Sequence, residues 1–341
     1  MNKNKKVKII AYIFLSIAVS LGTCFLISHF ISIPKDAKII SAYSGGRDRI
    51  YAIDDNNTLW GSGRNIGGFR FPLTTNMVKI FDNVSHVGSA TLVTQNGDLY
   101  AWNTMPRALK KSSKEIDNRP VRIVVNAKKA YTQGNADIPF LFAYIDGQDN
   151  LKIRGSGINM DKEVEDLPVL FSNVDDLCLL NDMAFVTKDK KMYFFAWGEQ
   201  NTPVFVADNV VKITGCTGFG NDYTKGYFVY QDTKGDVYLY NEGKSEKWVS
   251  DIKDHTAVEQ SLYVLANDNK IMEYRINEGK SITYIFTIEP KVKVTAIYCR
   301  TDSSCLLYLG EDNKLYCYGD PEYGIFSGDY RFLNDEPAVF P

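Results

Sequence analysis

The sequence predicts an all-β protein, a seven-bladed β-propeller of four-stranded antiparallel blades, preceded by one N-terminal transmembrane helix. Three observations carry that expectation. A short hairpin recurs seven times, and residues 9–33 contain no Asp, Glu, Lys or Arg. Successive hairpins lie about 43 residues apart on average, the length of one four-stranded blade.

The clearest hairpin runs from Leu306 to Tyr318, with a turn at Asp312-Asn313 and a second strand Leu315-Tyr316-Cys317-Tyr318. The other turns are Asn56-Asn57, Asn96-Gly97, Gln148-Asp149, Asp189-Lys190, Lys234-Gly235 and Asp268-Asn269. A two-residue hairpin of matching twist needs φ > 0 at its centre, which Asn, Asp and Gly tolerate best; Lys190 is the weakest fit. Around each hairpin a longer pattern repeats, and its last strand is often led by proline, as in Pro120-Val121-Arg122-Ile123, Pro168-Val169-Leu170-Phe171, Pro203-Val204-Phe205-Val206 and Pro337-Ala338-Val339-Phe340. No 3.6-residue period persists beyond the N-terminal run. One four-stranded blade cannot bury both faces, so seven blades close radially and leave only short, protected edges.

At the N-terminus, Lys3, Lys5, Lys6 and Lys8 precede the apolar run. A helix of that length exceeds the bilayer's apolar thickness, and the lysines keep residues 1–8 in the cytoplasm. The run is longer than a signal-peptide core and ends in no small-residue cleavage site, so it reads as an uncleaved anchor. Leu21-Gly22-Thr23-Cys24 is a poor lipobox, because Phe25-Leu26-Ile27 continue the apolar run. The expected organisation is a cytoplasmic tail (1–8), a membrane segment (9–33), a linker (34–37) and a propeller (38–341) outside the cell membrane.

With 45% apolar and 13% aromatic residues, the chain of 341 residues can bury a large core. Its formal charge is −2, to which residues 1–37 contribute +4 and the remainder −6. That mild acidity argues against nucleic acid, which requires a basic face. The six cysteines include no C-x-x-C pair, which removes zinc-ribbon and thioredoxin-like readings. Cys178, Cys216 and Cys299 recur near the start of a repeat as small buried residues. Counting back from a two-residue turn pairs Cys317 with Tyr308, which puts Cys305 about three residues out of register and disfavours a Cys305–Cys317 disulfide.

Leu99-Tyr100-Ala101-Trp102-Asn103, Leu315-Tyr316-Cys317-Tyr318-Gly319 and Leu59-Trp60-Gly61-Ser62-Gly63 resemble the regulator of chromosome condensation repeat, whose hairpin ends in L-Y-A-W-G. Glycines five residues further on, at Gly324 and Gly68, extend the likeness, which spans residues 38–341. The pattern has drifted at Lys152-Ile153-Arg154-Gly155 and Met272-Glu273-Tyr274. In the fourth repeat Ala196-Trp197-Gly198 comes two residues late, which suggests a longer hairpin loop. The resemblance implies the propeller. It carries no functional residue across, since the family's nuclear namesake, a nucleotide-exchange factor that binds chromatin, works on partners that an acidic domain outside a cell could not reach. Secreted bacterial members resemble protein-binding modules, which suits the anchor better.

Local chemistry motifs are few. The histidines are His29, His86 and His255, too few for an imidazole-rich metal site, and there is no G-x-S-x-G. Gly243-Lys244-Ser245 and Gly279-Lys280-Ser281 lack the earlier glycine of a phosphate loop, which is Tyr238 in one and Tyr274 in the other. Asp54-Asp55-Asn56-Asn57 and Asp146-Gly147-Gln148-Asp149-Asn150 offer oxygens to Ca²⁺ but have no EF-hand spacing and read as turns. No cofactor, metal or catalytic residue is expected.

Phe69, Arg70, Phe71, Tyr323, Phe326 and Tyr330 fall after hairpins, where blade insertions emerge on one face, and Tyr and Arg are typical hot-spot residues. Phe69 and Phe326 read as loop-packing residues. Arg70, Phe71, Tyr323 and Tyr330 are the candidate binding residues. The connection over 104–118 carries Arg107, Lys110, Lys111 and Lys114, a basic excursion able to steer an acidic partner. The expected function is a non-enzymatic, monomeric, membrane-tethered module for an extracytoplasmic protein or cell-envelope ligand. The competing readings are a structural component of an envelope assembly and a propeller-scaffold enzyme whose carboxylates converge from several blades.

Overall fold

The computed structural model describes residues 33–34, 36–44, 49–63, 74–102, 109, 120–133, 141–155, 157–180, 182–197, 202–217, 226–241, 243–258, 260–277, 281–298, 306–318 and 338–339. Among the described residues, twenty-eight strands form seven four-stranded antiparallel sheets, each made of four consecutive strands in chain order. The first blade comprises Ile39–Ser44, Arg49–Asp54, Leu59–Gly63 and Thr74–Phe81. The Pro-led segments are fourth strands, as at Val121–Val124, Val169–Phe171, Val204–Ala207 and Ala338–Val339.

The hairpins lie where the repeats place them, but their loops hold three residues instead of two. In the first blade the Asn57 amide donates to the Asp54 carbonyl at 2.9 Å and the Asp54 amide to the Thr58 carbonyl at 3.1 Å. All seven hairpins repeat this pair of bonds, and the third loop residue is left-handed every time: Asn57, Gly97, Asp149, Lys190, Gly235, Asn269 and Asn313. A right-handed turn followed by one left-handed residue restores the strand twist with a single φ > 0 position. The extra residue shifts every register by one, so Cys317 pairs with Leu307 and not with Tyr308. A shift of one also reverses the face a side chain occupies. Cys317 is buried and disulfide-bonded, whereas Cys178 and Cys216 form no disulfide. The fourth repeat's loop has the same length as the others, since Lys190 N donates to Thr187 O and Thr187 N to Lys191 O.

The turn carboxylates are occupied by their own hairpins. Asp54 Oδ1 accepts from the amides of Asn56 and Thr58, and Oδ2 from Trp60 Nε1 at 2.8 Å. Asp146 Oδ1 accepts from the amides of Gln148 and Asn150 in the same way. Thr94 and Thr187 hydroxyls take the equivalent amide, of Asp98 and Lys191 respectively, at 3.1 Å. Both candidate Ca²⁺ segments are therefore turns, as read. Gly243, at φ +80°, also stands in a hairpin turn, between Asn241 and Lys244.

A second set of turns joins each blade to the next. Asn83, Asn126, Asn173, Asn209 and Asp251 are left-handed and immediately precede a first strand. The first residue of that strand then donates its amide to the carbonyl of the left-handed hairpin residue one blade back: Val84 to Asn57, Ala127 to Gly97, Val174 to Asp149, Val210 to Lys190 and Ile252 to Gly235, at 2.7 to 3.0 Å. Before the seventh blade, the Asn269 side-chain oxygen replaces the carbonyl and accepts from Val294 N at 2.7 Å.

Apolar side chains fill the spaces between sheets, and the cluster of Ile39, Ala42, Trp60 and Met77 with Leu307, Leu309 and Cys317 packs the first blade on the last. Across the hairpins, Tyr308–Tyr316 and Tyr230–Tyr238 stack with centroids 5.0 Å apart. Such cross-strand aromatic pairs add to plain burial. Ile33, at the end of the predicted membrane segment, donates its amide to Met77 O at 3.1 Å and packs on the same cluster. The rest of 9–33 lies outside the described residues.

Candidate functional site

The two ends of the propeller differ. One is built from the three-residue hairpins and the short blade-to-blade turns. At the other end, first strands connect to second and third to fourth, so the segments 64–73, 103–119 and 319–337 all leave and re-enter there. Arg70, Phe71, Tyr323 and Tyr330, with Phe69 and Phe326, lie outside the described residues. The strand ends that bracket them share this face. Within the basic excursion, Leu109 is fully buried in the apolar cluster that also holds Trp102, and its carbonyl accepts from the buried Arg154 guanidinium at 2.9 Å. At that point the excursion is pinned to the propeller.

Between the blades lies a cavity of about 420 Å³ whose wall is made chiefly of first-strand residues. The seven first strands are Ile39–Ser44, Val84–Val87, Ala127–Gln133, Val174–Leu179, Val210–Thr217, Ile252–Val258 and Val294–Tyr298. In each, pairing slips between the first and third residues, a bulge that places one extra residue outside the ladder. Beyond it the pleat alternates. The fourth residue is buried in all seven, whereas third and fifth residues supply much of the cavity wall.

The third positions, in blade order, are Ser41, His86, Lys129, Asp176, Lys212, Asp254 and Ala296. Lysine and aspartate alternate over four blades and pair between them. Lys129 Nζ lies 3.4 Å from Asp176 Oδ1, and Lys212 Nζ 2.6 Å from Asp254 Oδ1. Asp254 also accepts from its neighbour His255 N at 2.9 Å and, across the next interface, from Ile297 N at 3.0 Å. Asp176 Oδ1 takes Leu177 N at 2.9 Å and the hydroxyl of Tyr131.

Burial controls protonation here. It lowers the His86 pKa to about 4, helped by Lys129, so the imidazole is neutral at pH 7. It raises Tyr131 well above the ordinary phenol, with Asp176 adding to the effect, and pushes Tyr298 up to about 12. His86 Nε2 lies 3.2 Å from the Ala130 carbonyl, which can only accept; Nε2 therefore carries the proton and Nδ1 is an acceptor. The His86 and Tyr131 rings stand 5.0 Å apart, and the two residues form one side of the wall. His255 takes a fourth position that is aliphatic in the other six blades. Its Nδ1 is 3.3 Å from Gln231 Oε1, its Nε2 has no hydrogen-bond partner among the described residues, and burial lowers its pKa to about 3.

None of these cavity residues was singled out as a site from sequence. The signal was the Asn-Val or Asn-Ala pair that opens most first strands: counting two residues on from its second member gives the ring.

No family model and no curated protein matches the chain in sequence. Solved structures do match in fold. Prp20p from Saccharomyces cerevisiae, described with its binding to Gsp1p and histones, aligns with a TM-score of 0.54 at 16% identity, over 77% of this chain and 80% of that one. YCF48 bound to D1 peptide aligns with a TM-score of 0.51 at 12% identity, over 85% and 95%. The Cps50 (Swd1) propeller domain of Myceliophteria thermophila gives 0.51 at 9% identity, over 85% and 99%. These likenesses establish the propeller fold, in a set that includes yeast RCC1 (Prp20), whose repeat the sequence resembles.

Proposed function

We propose that this chain is a membrane-tethered module that binds a protein ligand outside the membrane through the face carrying its longest connections. The observation that carries the reading is the asymmetry of the two ends. One is locked by seven near-identical turns bonded from blade to blade, whereas the long connections, with Arg70, Phe71, Tyr323 and Tyr330, all depart from the other. A rigid scaffold that presents variable connections on one face is the general design of a binding protein. Propellers of this fold that bind proteins or peptides, such as Prp20p and YCF48, support the class and leave the partner open. The tether rests on the uncharged run 9–33 and the lysines before it.

The test has two arms. Protease added to intact protoplasts is expected to remove the propeller; its survival while known surface proteins are digested overturns the orientation. Arg70→Ala, Phe71→Ala and Tyr330→Ala, each checked for an unchanged melting midpoint, are expected to weaken partner capture from the cell envelope. A central anchor costs about 2 kcal/mol on truncation, roughly thirtyfold in affinity. Unchanged capture by all three folded variants moves the binding face elsewhere.

A further inference from the structure

We infer that the central cavity is a second binding site, separate from the loop face, and that its ligand is a compact organic ammonium ion. The volume of about 420 Å³ falls within the range of small-molecule sites, about 300–1,000 Å³. Chemistry narrows the class. Tyr43, Tyr131 and Tyr298 occupy fifth positions of three first strands, and all three belong to the wall. Asp176 is the sole carboxylate among the described wall residues, and no lysine or arginine is among them.

The hydrogen bonding of Asp176 is one-sided. Tyr131 Oη, Leu177 N and Lys129 Nζ all converge on Oδ1, while Oδ2 has no partner among the described residues, and the side chain is half-exposed. Lys129 reaches Oδ1 without forming part of the wall. The neighbouring wall residue His86 has its proton committed to Ala130 O through Nε2, which leaves Nδ1 an acceptor. Among the described residues, two unfilled acceptors and three phenol rings therefore line a space whose wall holds no cationic side chain. A cation satisfies the acceptors through hydrogen bonds or charge and the rings through their negative faces. An anion would meet Asp176 Oδ2 with no cationic side chain among the described wall residues, since Lys129 lies on the other oxygen, Oδ1, and an apolar ligand would leave Oδ2 desolvated and unpaired.

The test is calorimetric titration of the full-length chain, in a maltoside detergent, with choline, with ethanolamine and with the neutral isostere of choline that has a quaternary carbon in place of nitrogen. The expected result is that at least one ammonium binds about tenfold or more tightly than the neutral isostere. Asp176→Asn keeps the shape and removes the charge, and should weaken that binding by about tenfold or more. Tyr298→Leu, which removes one ring and leaves Asp176 intact, should weaken choline more than ethanolamine, and it decides the matter should Asp176→Asn fail to fold. Equal binding of choline and its isostere, no binding by either ammonium at millimolar concentration, or undiminished binding by the folded variants overturns the assignment. None of these results depends on the loop residues, so the loop-face reading stands or falls separately.

Discussion

The backbone amide of Ile39 donates to the carbonyl of Asn313 across 3.1 Å, joining the first strand of the first blade to the hairpin of the last. It is the bond that Val84 makes to Asn57 and Ile252 makes to Gly235 inside the ring. The seam where the chain's two ends meet is thus built like an ordinary interface. Each of the first and last blades keeps its own four strands, so closure rests on this bond and the apolar cluster around Ile39 and Leu307.

Ile39→Pro removes the seam donor together with the side chain, whereas Ile39→Ala removes the side chain alone. The alanine variant is expected to lose about 2–4 kcal/mol as a core truncation. Proline should cost about 1–3 kcal/mol more, because the Asn313 carbonyl is left without its donor. Denaturant melts of both proteins measure the difference. Equal stability of the two would mean that the seam bond contributes nothing and that closure is apolar only.

Left-handed loop residues give a prediction of opposite signs. Gly235 has φ +84°, and a Cβ there would stand 2.7 Å from the Ile252 carbonyl oxygen, so Gly235→Ala should lose about 2 kcal/mol or more. Lys190 holds φ +62° with a side chain that disfavours it. Lys190→Gly keeps the backbone bond to Val210 and should gain about 0.5–1 kcal/mol. Melting midpoints that fall for both would show that Lys190 is held by more than its backbone.

The blade count, the hairpin positions and the Pro-led fourth strands were legible in sequence because each rests on a local rule. Among the described residues, Asn, Asp and Gly hold every left-handed position except Lys190, whose turn was located by its place in the repeat. Loop length was not legible, since Asp312-Asn313 fits a two-residue turn as well as the last two residues of a three-residue one. That single residue moved the cross-strand partner of Cys317 from Tyr308 to Leu307. The cavity was hidden for a different reason. Tyr43, His86, Asp176 and Tyr298 come from four blades, far apart in the chain, and only ring closure brings them to one wall. Arg70, Phe71, Tyr323 and Tyr330 were found as exceptions to the repeat, which indicates where the chain departs from its scaffold and gives no geometry.

Asp254 ties three consecutive blades together, so its removal should act on the ring and not on one sheet. Asp254→Ala strands Ile297 N, His255 N and Lys212 Nζ at once and should cost about 2–3 kcal/mol, with both backbone amides left unpaired in a half-buried setting. Lys212→Met leaves Asp254 its two amides and should cost about 1 kcal/mol or less, as for a partly exposed ion pair. Comparable losses in the two variants would place the stabilisation in the ion pair itself.

Acid should destabilise the protein first through His255, which is buried, and His86, which is half-buried against the cavity. Burial holds His255 at about 3 and His86 at about 4, both below the 6.5 of an ordinary imidazole. Between those values and 6.5 the unfolded chain binds protons that the folded chain refuses, so stability is complete above pH 6.5 and falls as the pH drops through this window. The slope reaches about 1.4 kcal/mol per pH unit for each histidine. Asp149, Asp189 and Asp236 have pKa values lowered below 3.8, so their stabilising contribution is lost only at lower pH and does not account for a decline that begins near 6. His255→Leu restores the aliphatic residue type found at this position in the other blades and removes an imidazole nitrogen that has no hydrogen-bond partner among the described residues. It is expected to flatten the decline between pH 6.5 and 4 by about half, since His86 continues to titrate. Equilibrium unfolding at several pH values across that window makes the comparison; a variant with an undiminished slope would show that His255 is protonated in the folded ring, paired in a way that its neutral contact with Gln231 does not provide.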